Sequence, residues 1–343
     1  MTKQEQTNLS VAKDSNWSFP QDIKGFDSTD PPALTAYNEI LYLAFKGKNP
    51  TDQHSDHKIY IATFEGRWSE TVVASYRTEN FQTGNSPALI VFQNRLFLLW
   101  KNYQEENIIL AYSELLDLEA DAYTFFPYKE KLSFGTSEPP ALAVFKDKNN
   151  IDWLYMTWKG FGDSDIRCSY TDGSTDANNK IKWSEAKKTG LSSDKGPALA
   201  VFNNVLYMAR KAHSSENILL SSLAISGEPS GNWNDLVTQP NYKTSEGPAL
   251  AVYDEKLYLA FKCPGVYNET DPSTQDYIDV YYSNTEDPAN WSDSYGVFNQ
   301  VFSYTHVSIA AMTGGLKGVL NGALYMAYKG ANADGALKIC IQK

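Results

Sequence analysis

Six lysines end the same short phrase in six places along the chain. Lys46 closes "LYLAFK", Lys101 "LFLLWK", Lys159 "LYMTWK", Lys211 "LYMARK", Lys262 "LYLAFK" and Lys329 "LYMAYK". A second set, Asp30, Asn85, Glu138, Lys195, Glu246 and His306, falls two residues before a Pro-Ala-Leu phrase or its equivalent. A third and mostly acidic set, Asp56, Glu106, Asp165, Glu216, Asp276 and Asp334, lies shortly after the lysines. Ammonium groups repeated beside carboxylates can do one of two things. They can clasp neighbouring structural units through ion pairs, each contributing about 0–1 kcal/mol where exposed. Alternatively they bind hydroxyl groups, which take hydrogen bonds from cations and give them to planar carboxylates.

The residue before each lysine is aromatic in five cases, Phe45, Trp100, Trp158, Phe261 and Tyr328, and is Arg210 in the remaining one. On an extended strand it faces away from the lysine, which makes it either packing between units or, for Trp100 and Trp158, an apolar floor for a sugar ring. Arg210 in that layer must find a carboxylate or an aromatic plane, in an ion pair or a ligand clamp. The four histidines, His54, His57, His213 and His306, fall in the same connecting segments. "HSDH" has no helix to fix its spacing, so no metal site is expected. The three cysteines, Cys168, Cys263 and Cys340, have neither metal-ligand spacing nor a disulfide framework. No cofactor motif is present: phosphate-binding glycine loop, nucleophile elbow and metal-binding His-Glu helix are all missing. "YTDGSTDANNKIKW" resembles the Asp-box turn of sialidases with too long a spacing, and the arginines do not recur as a sialidase-like centre requires.

What must position these residues is a repeat. The phrase returns from Pro32, Pro87, Pro140, Pro197, Pro248 and, worn, from Ser308, at intervals of 51 to 60 residues. Short strands at such a period predict a propeller. Each period holds four strand-like pieces: a small apolar one ("ALAVF"), a turn such as Asn203-Asn204 suited to positive φ, an alternating piece, a third such as "IYIATF", and a fourth headed by an aromatic. Those aromatics are Trp68, Trp183, Trp233, Trp291 and, in the second period, Phe125. The sixth period stops after its third piece, while Trp17 precedes Pro32 by the same interval as Trp233 precedes Pro248. The expected fold is therefore all-β: a six-bladed β-propeller of four antiparallel strands per blade, with the N-terminal strand completing the last blade and closing the ring. Residues 1–14 are read as a flexible tail and 15–343 as a single domain. Only "SELLDLEADAY" has any helical character, and a loop or one short turn is expected there. By strand direction, all three residue sets open on one face of the ring.

With 30 basic and 41 acidic residues the chain carries a net charge of −11, which disfavours nucleic acid and anionic lipid as partners. No apolar run is long enough to cross a bilayer. The N-terminal segment has no secretory pattern, pointing to a cytoplasmic protein or one released by an unconventional route. A monomer or weak dimer is expected.

The cycle "LYxAxKG … IxYS … W" resembles the β-propeller repeat lectins, the tectonin-like and fungal fucose-lectin-like group, from Trp17 onward. That resemblance implies sugars held between adjacent blades by an aromatic, an Arg and a Glu; here Lys stands in place of the Arg. The leading expectation is a non-catalytic glycan-binding protein with several related sites, built from the six lysines, Asp30, Glu138, Glu246, Glu106, Asp165, Glu216, Asp276, Trp100, Trp158, Arg210 and His306. The alternatives are a glycoside-processing, sialidase-like hydrolase with one specialised site near the channel mouth, where Glu138 and Glu246 act, and a protein-binding scaffold.

Overall fold

A computed structural model describes residues 17, 21–48, 55–64, 69, 72–76, 79–115, 126–236, 242–264, 277–283, 291, 303–312, 322–330 and 336–342. The described residues are strands and loops, arranged as a six-bladed β-propeller. Blade 1 comprises Ala33–Tyr37, Ile40–Lys48, Ser55–Phe64 and Val72–Val73; blade 2 comprises Ala88–Phe92, Arg95–Lys101, Asn107–Leu115 and Tyr128–Gly135. Blade 3 is Ala141–Lys146, Asp152–Lys159, Asp165–Thr171 and Lys187–Ser192, and blade 4 is Ala198–Phe202, Val205–Lys211, Ile218–Ala224 and Asn234–Leu236. Blade 5 shows Ala249–Tyr253, Lys256–Cys263 and Tyr277–Tyr282, extended by a bridge between Ser283 and Trp291. Blade 6 is Ser303–Met312, Ala323–Gly330 and Ala336–Gln342, with Gln21–Asp27 as its outer strand.

Ring closure is antiparallel: Gln21 pairs with Ile339 and Asp22 with Lys338, and Trp17 bridges Gln342. Trp17 is 4% exposed, in a core cluster shared by blades 5 and 6. The alternation within each second strand splits it between two interfaces. Leu41, Leu43 and Phe45 pack toward blade 6, and Tyr42 and Ala44 toward blade 2. Four first hairpins turn through pairs of positive-φ residues, Asn38-Glu39, Gln93-Asn94, Asn203-Asn204 and Asp254-Glu255. Such turns match the right-handed twist of the strands they join, and Asn or Asp at their first or second position tolerates the left-handed backbone. Trp68, Phe125 and most of "SELLDLEADAY" lie outside the described residues, as do residues 1–14.

Candidate active site at the axial mouth

Each connection into a first strand is shaped by a buried hydroxyl. Ser28, Thr83, Thr136, Ser193, Thr244 and Ser303 are all 0% exposed. Each accepts the N–H two residues on, at 3.1–3.3 Å, in Asp30, Asn85, Glu138, Lys195, Glu246 and Thr305. The hydroxyls of Ser28, Thr83, Thr136 and Ser303 also reach the carbonyl of the lysine ending the same blade's second strand, at 2.6, 3.2, 2.9 and 2.8 Å. This small side-chain turn tethers the inner connection to the second strand. In blades 3, 4 and 5 it presents Glu138, Lys195 and Glu246 to the axial cavity. The Ser/Thr two positions before Asp30, Asn85, Glu138, Lys195 and Glu246 is legible in the sequence, and it is the signal that a reading centred on charges passes over. In blade 6, Ser308 pairs with Ala327 as Ala141 pairs with Thr157 in blade 3, so Thr305 holds the tethered position and His306 is the residue after it, in the place of Pro139.

At the mouth, Glu138, Lys195, Glu246 and His306 line a cavity of about 160 Å³ whose collar is Pro32, Pro87, Pro139, Pro140, Pro197 and Pro248. Proline fixes φ as each chain enters its inner strand, so the collar is stiff. Two glycines let neighbouring collars touch. A Cβ at Gly196 would stand 2.9 Å from the Pro139 carbonyl oxygen, and one at Gly247 would stand 2.8 Å from the Gly196 oxygen.

The four polar groups are not equivalent. Lys195 Nζ lies 2.8 Å from Glu246 Oε2. Burial alone would lower the Lys195 ammonium, but the bond and charge of Glu246, with the charge of Glu138, hold it above its ordinary value. Glu138 is bonded instead to the neutral Gly196 N–H. Burial pushes its carboxyl up, the nearby Lys195 and Lys159 pull it back in part, and the Glu246 charge adds to the rise. His306 is driven down to about 4 by burial, opposed by Glu246 and Asp30, so it is a neutral imidazole at pH 7. Asp30 is bound instead to Lys46, at 2.9 Å.

The lysines end their strands on this same face, yet their partners differ from blade to blade. Lys46 is buried and also donates to the Gly84 carbonyl of the connection into blade 2, at 3.1 Å. Lys101 pairs with Glu106 at 3.0 Å, Lys159 donates to Ser137 Oγ at 2.9 Å, and Lys211 pairs with Asp194 at 3.1 Å. Lys262 is buried, and the Lys329 backbone carries the Ser303 tether. Of the third set, Asp165 pairs with Lys188 at 2.6 Å and Glu216 is exposed, both farther from the axis, while Asp276 lies outside the described residues. Trp100 and Trp158 are each 1% exposed and stack on Phe81 and Phe134 with ring centroids 4.6 and 4.8 Å apart. Buried to that degree, they pack the blades and offer no ring face to a sugar, which corrects their assignment as ligand contacts. Arg210 is likewise no ligand clamp: it is 3% exposed, with its guanidinium 2.9 Å from Asp235 and bonded to Ser221.

No family model matches the chain, and no curated protein matches it. Among solved structures it is similar to the phage phi92 endosialidase, with 11% identity and a TM-score of 0.56, over 93% of this chain and 68% of that one. It is also similar to a Hadza microbial sialidase, with 10% identity and a TM-score of 0.56, over 90% of this chain and 64% of that one. For the Trypanosoma rangeli sialidase the values are 13%, 0.54, 92% and 54%. These similarities establish the propeller fold. The named proteins are hydrolases and none is a lectin, which overturns the expectation of a non-catalytic glycan-binding protein with repeated sites. Pairing of the lysines gives the physical reason: those of blades 1 to 4 are engaged by loops of their own blades, Lys46 also by the connection into blade 2, while Glu138, Lys195, Glu246 and His306 converge at the axis.

Proposed function

We propose that the chain is a glycoside hydrolase whose single site is the axial mouth, with Glu138 as proton donor and Glu246 as the opposing carboxylate. One observation carries the reading: two carboxyl groups line one cavity in environments that separate their roles. Glycosidic bond cleavage needs an acid that is still protonated near neutral pH and a carboxylate that answers the positive charge developing on the sugar. Burial moves Glu138 toward the first by raising its carboxyl above the ordinary range. Lys195 holds the second in place at Glu246. His306, neutral, offers both a donor and an acceptor to sugar hydroxyls. No arginine lines the cavity, so a neutral glycoside suits it better than a sialoside.

The test is turnover of a panel of neutral aryl and alkyl glycosides and a sialoside by the purified protein. Glu138→Gln and Glu246→Gln are each expected to lower turnover of a neutral alkyl glycoside by about 10²–10⁴-fold. Glu138→Gln should recover much of its loss on a dinitrophenyl glycoside, whose leaving group needs no proton. Turnover untouched by both changes, or no turnover of any glycoside, would overturn the reading.

A further inference from the structure

Two residues beyond the strand-ending lysine, three successive blades carry a planar ring: Tyr103 in blade 2, Phe161 in blade 3 and His213 in blade 4. The other three blades have Lys48, Pro264 and Ala331 at that position. Tyr103 is 39% and Phe161 56% exposed, and the His213 side chain is 51% exposed. These loops open on the same face as the cavity, because each second strand ends where its first strand begins: Leu99 pairs with Ala88, Thr157 with Ala141 and Ala209 with Ala198.

The rings sit on anchored loops. Tyr103 stacks on His57 of blade 1 with centroids 3.7 Å apart. The Phe161 N–H donates to the Gly135 carbonyl of blade 2 at 3.3 Å, and the loop is braced behind it by Asp163, bonded to both Arg167 nitrogens at 2.9 and 2.6 Å. His213 Nδ1 is 2.6 Å from Asp194, which also accepts the Ser214 N–H at 2.9 Å. Exposed rings held in advance, with carboxylates between them, are the combination that takes a sugar: the C–H face lies on the ring and the hydroxyls donate to the acids.

We propose that this arc over blades 2 to 4 is a binding platform for an extended, neutral polysaccharide that runs outward from the axial cavity. The inference rests on the reading of the mouth as a glycan-cleaving site and names the class of its substrate as polymeric. Neutrality follows from the pairing of the charges beside the rings: Glu105 is bonded to Lys131, Asp163 to Arg167 and Asp194 to Lys211, so the cations of these pairs are already engaged and offer a polyanion no net attraction.

Affinity electrophoresis through gels containing arabinoxylan, galactomannan or polysialic acid tests it without requiring catalysis. The native protein and Glu138→Gln should be retarded by at least one of the neutral polymers and not by polysialic acid. Tyr103→Ala/Phe161→Ala should bind about tenfold more weakly, with unchanged melting temperature, while Tyr103→Trp/Phe161→Trp keeps the retardation. Equal retardation of the alanine variant, retardation by polysialic acid alone, or none by any polymer would overturn the platform. Turnover of a short reporter glycoside, which spans only the cavity, separates the two readings. If the reporter is cleaved and no polymer binds, the platform fails alone; if polymers bind through the rings and no glycoside is cleaved, the cavity reading fails alone.

Discussion

Glu138 sits where its charge is least welcome, half-buried in the collar with burial as the largest influence on its carboxyl. A carboxyl raised above its unfolded value binds its proton more tightly in the folded protein, so at neutral pH its ionised form favours the unfolded chain. Glu138→Gln keeps the shape and removes that cost. Its melting temperature at pH 7 should rise by about 1–3 °C, and the gain should vanish below about pH 4.5, where both states are protonated. A purely structural Glu138, bonded and useful to the fold, would instead lower the melting temperature when replaced. A variant that is at once more stable and inactive is the signature of a functional group held at a cost to stability. The carboxylates and His306 are visible in the sequence as the residues before each Pro-Ala-Leu phrase. What separates Glu138 from Glu246 is not visible, since it depends on which neighbour's ammonium each one meets.

Strands and turns were far more legible than the site. Small apolar first strands, alternating second strands and Asn-rich turns each have a local physical cause, and the structure shows positive φ at Asn203 and Asn204 where that reasoning placed it. The ring-closing strand was legible too, by counting from Trp17. Less legible was the buried hydroxyl tether from Ser28 to Ser303, because Ser and Thr near a turn have many local uses. Trp100 and Trp158 show the opposite error: an aromatic beside a lysine reads as a sugar floor until the neighbouring blade covers it. Closure by the N-terminal segment predicts that Trp17→Ala, which empties a buried site in the cluster linking blades 5 and 6, costs about 3–5 kcal/mol. Urea unfolding monitored by tryptophan fluorescence and by far-ultraviolet dichroism would measure it. A cost near zero would mean that the segment does not close the ring.

A closed ring of six similar blades leaves only the short outer edge of each sheet unpaired, which lets a chain of net charge −11 hold its frame without disulfides among its described cysteines. Near-symmetry repeats the lysines in every blade, and departures from symmetry set the axial groups apart from them. His306, where blade 3 has Pro139, the lysine at position 195, where other blades have Asp, Asn, Glu or Thr, and the rings at positions 103, 161 and 213 all break the repeat on one face. Periodic features report the frame, and aperiodic ones mark where a single chemistry can be built. A site at the axis must therefore occur once per molecule. Calorimetric titration of Glu138→Gln with a neutral hexasaccharide of xylose or mannose tests that claim most directly. The account predicts one oligosaccharide bound per chain, with binding lost on adding Lys195→Glu; several per chain, none, or one that is indifferent to Lys195 would contradict it.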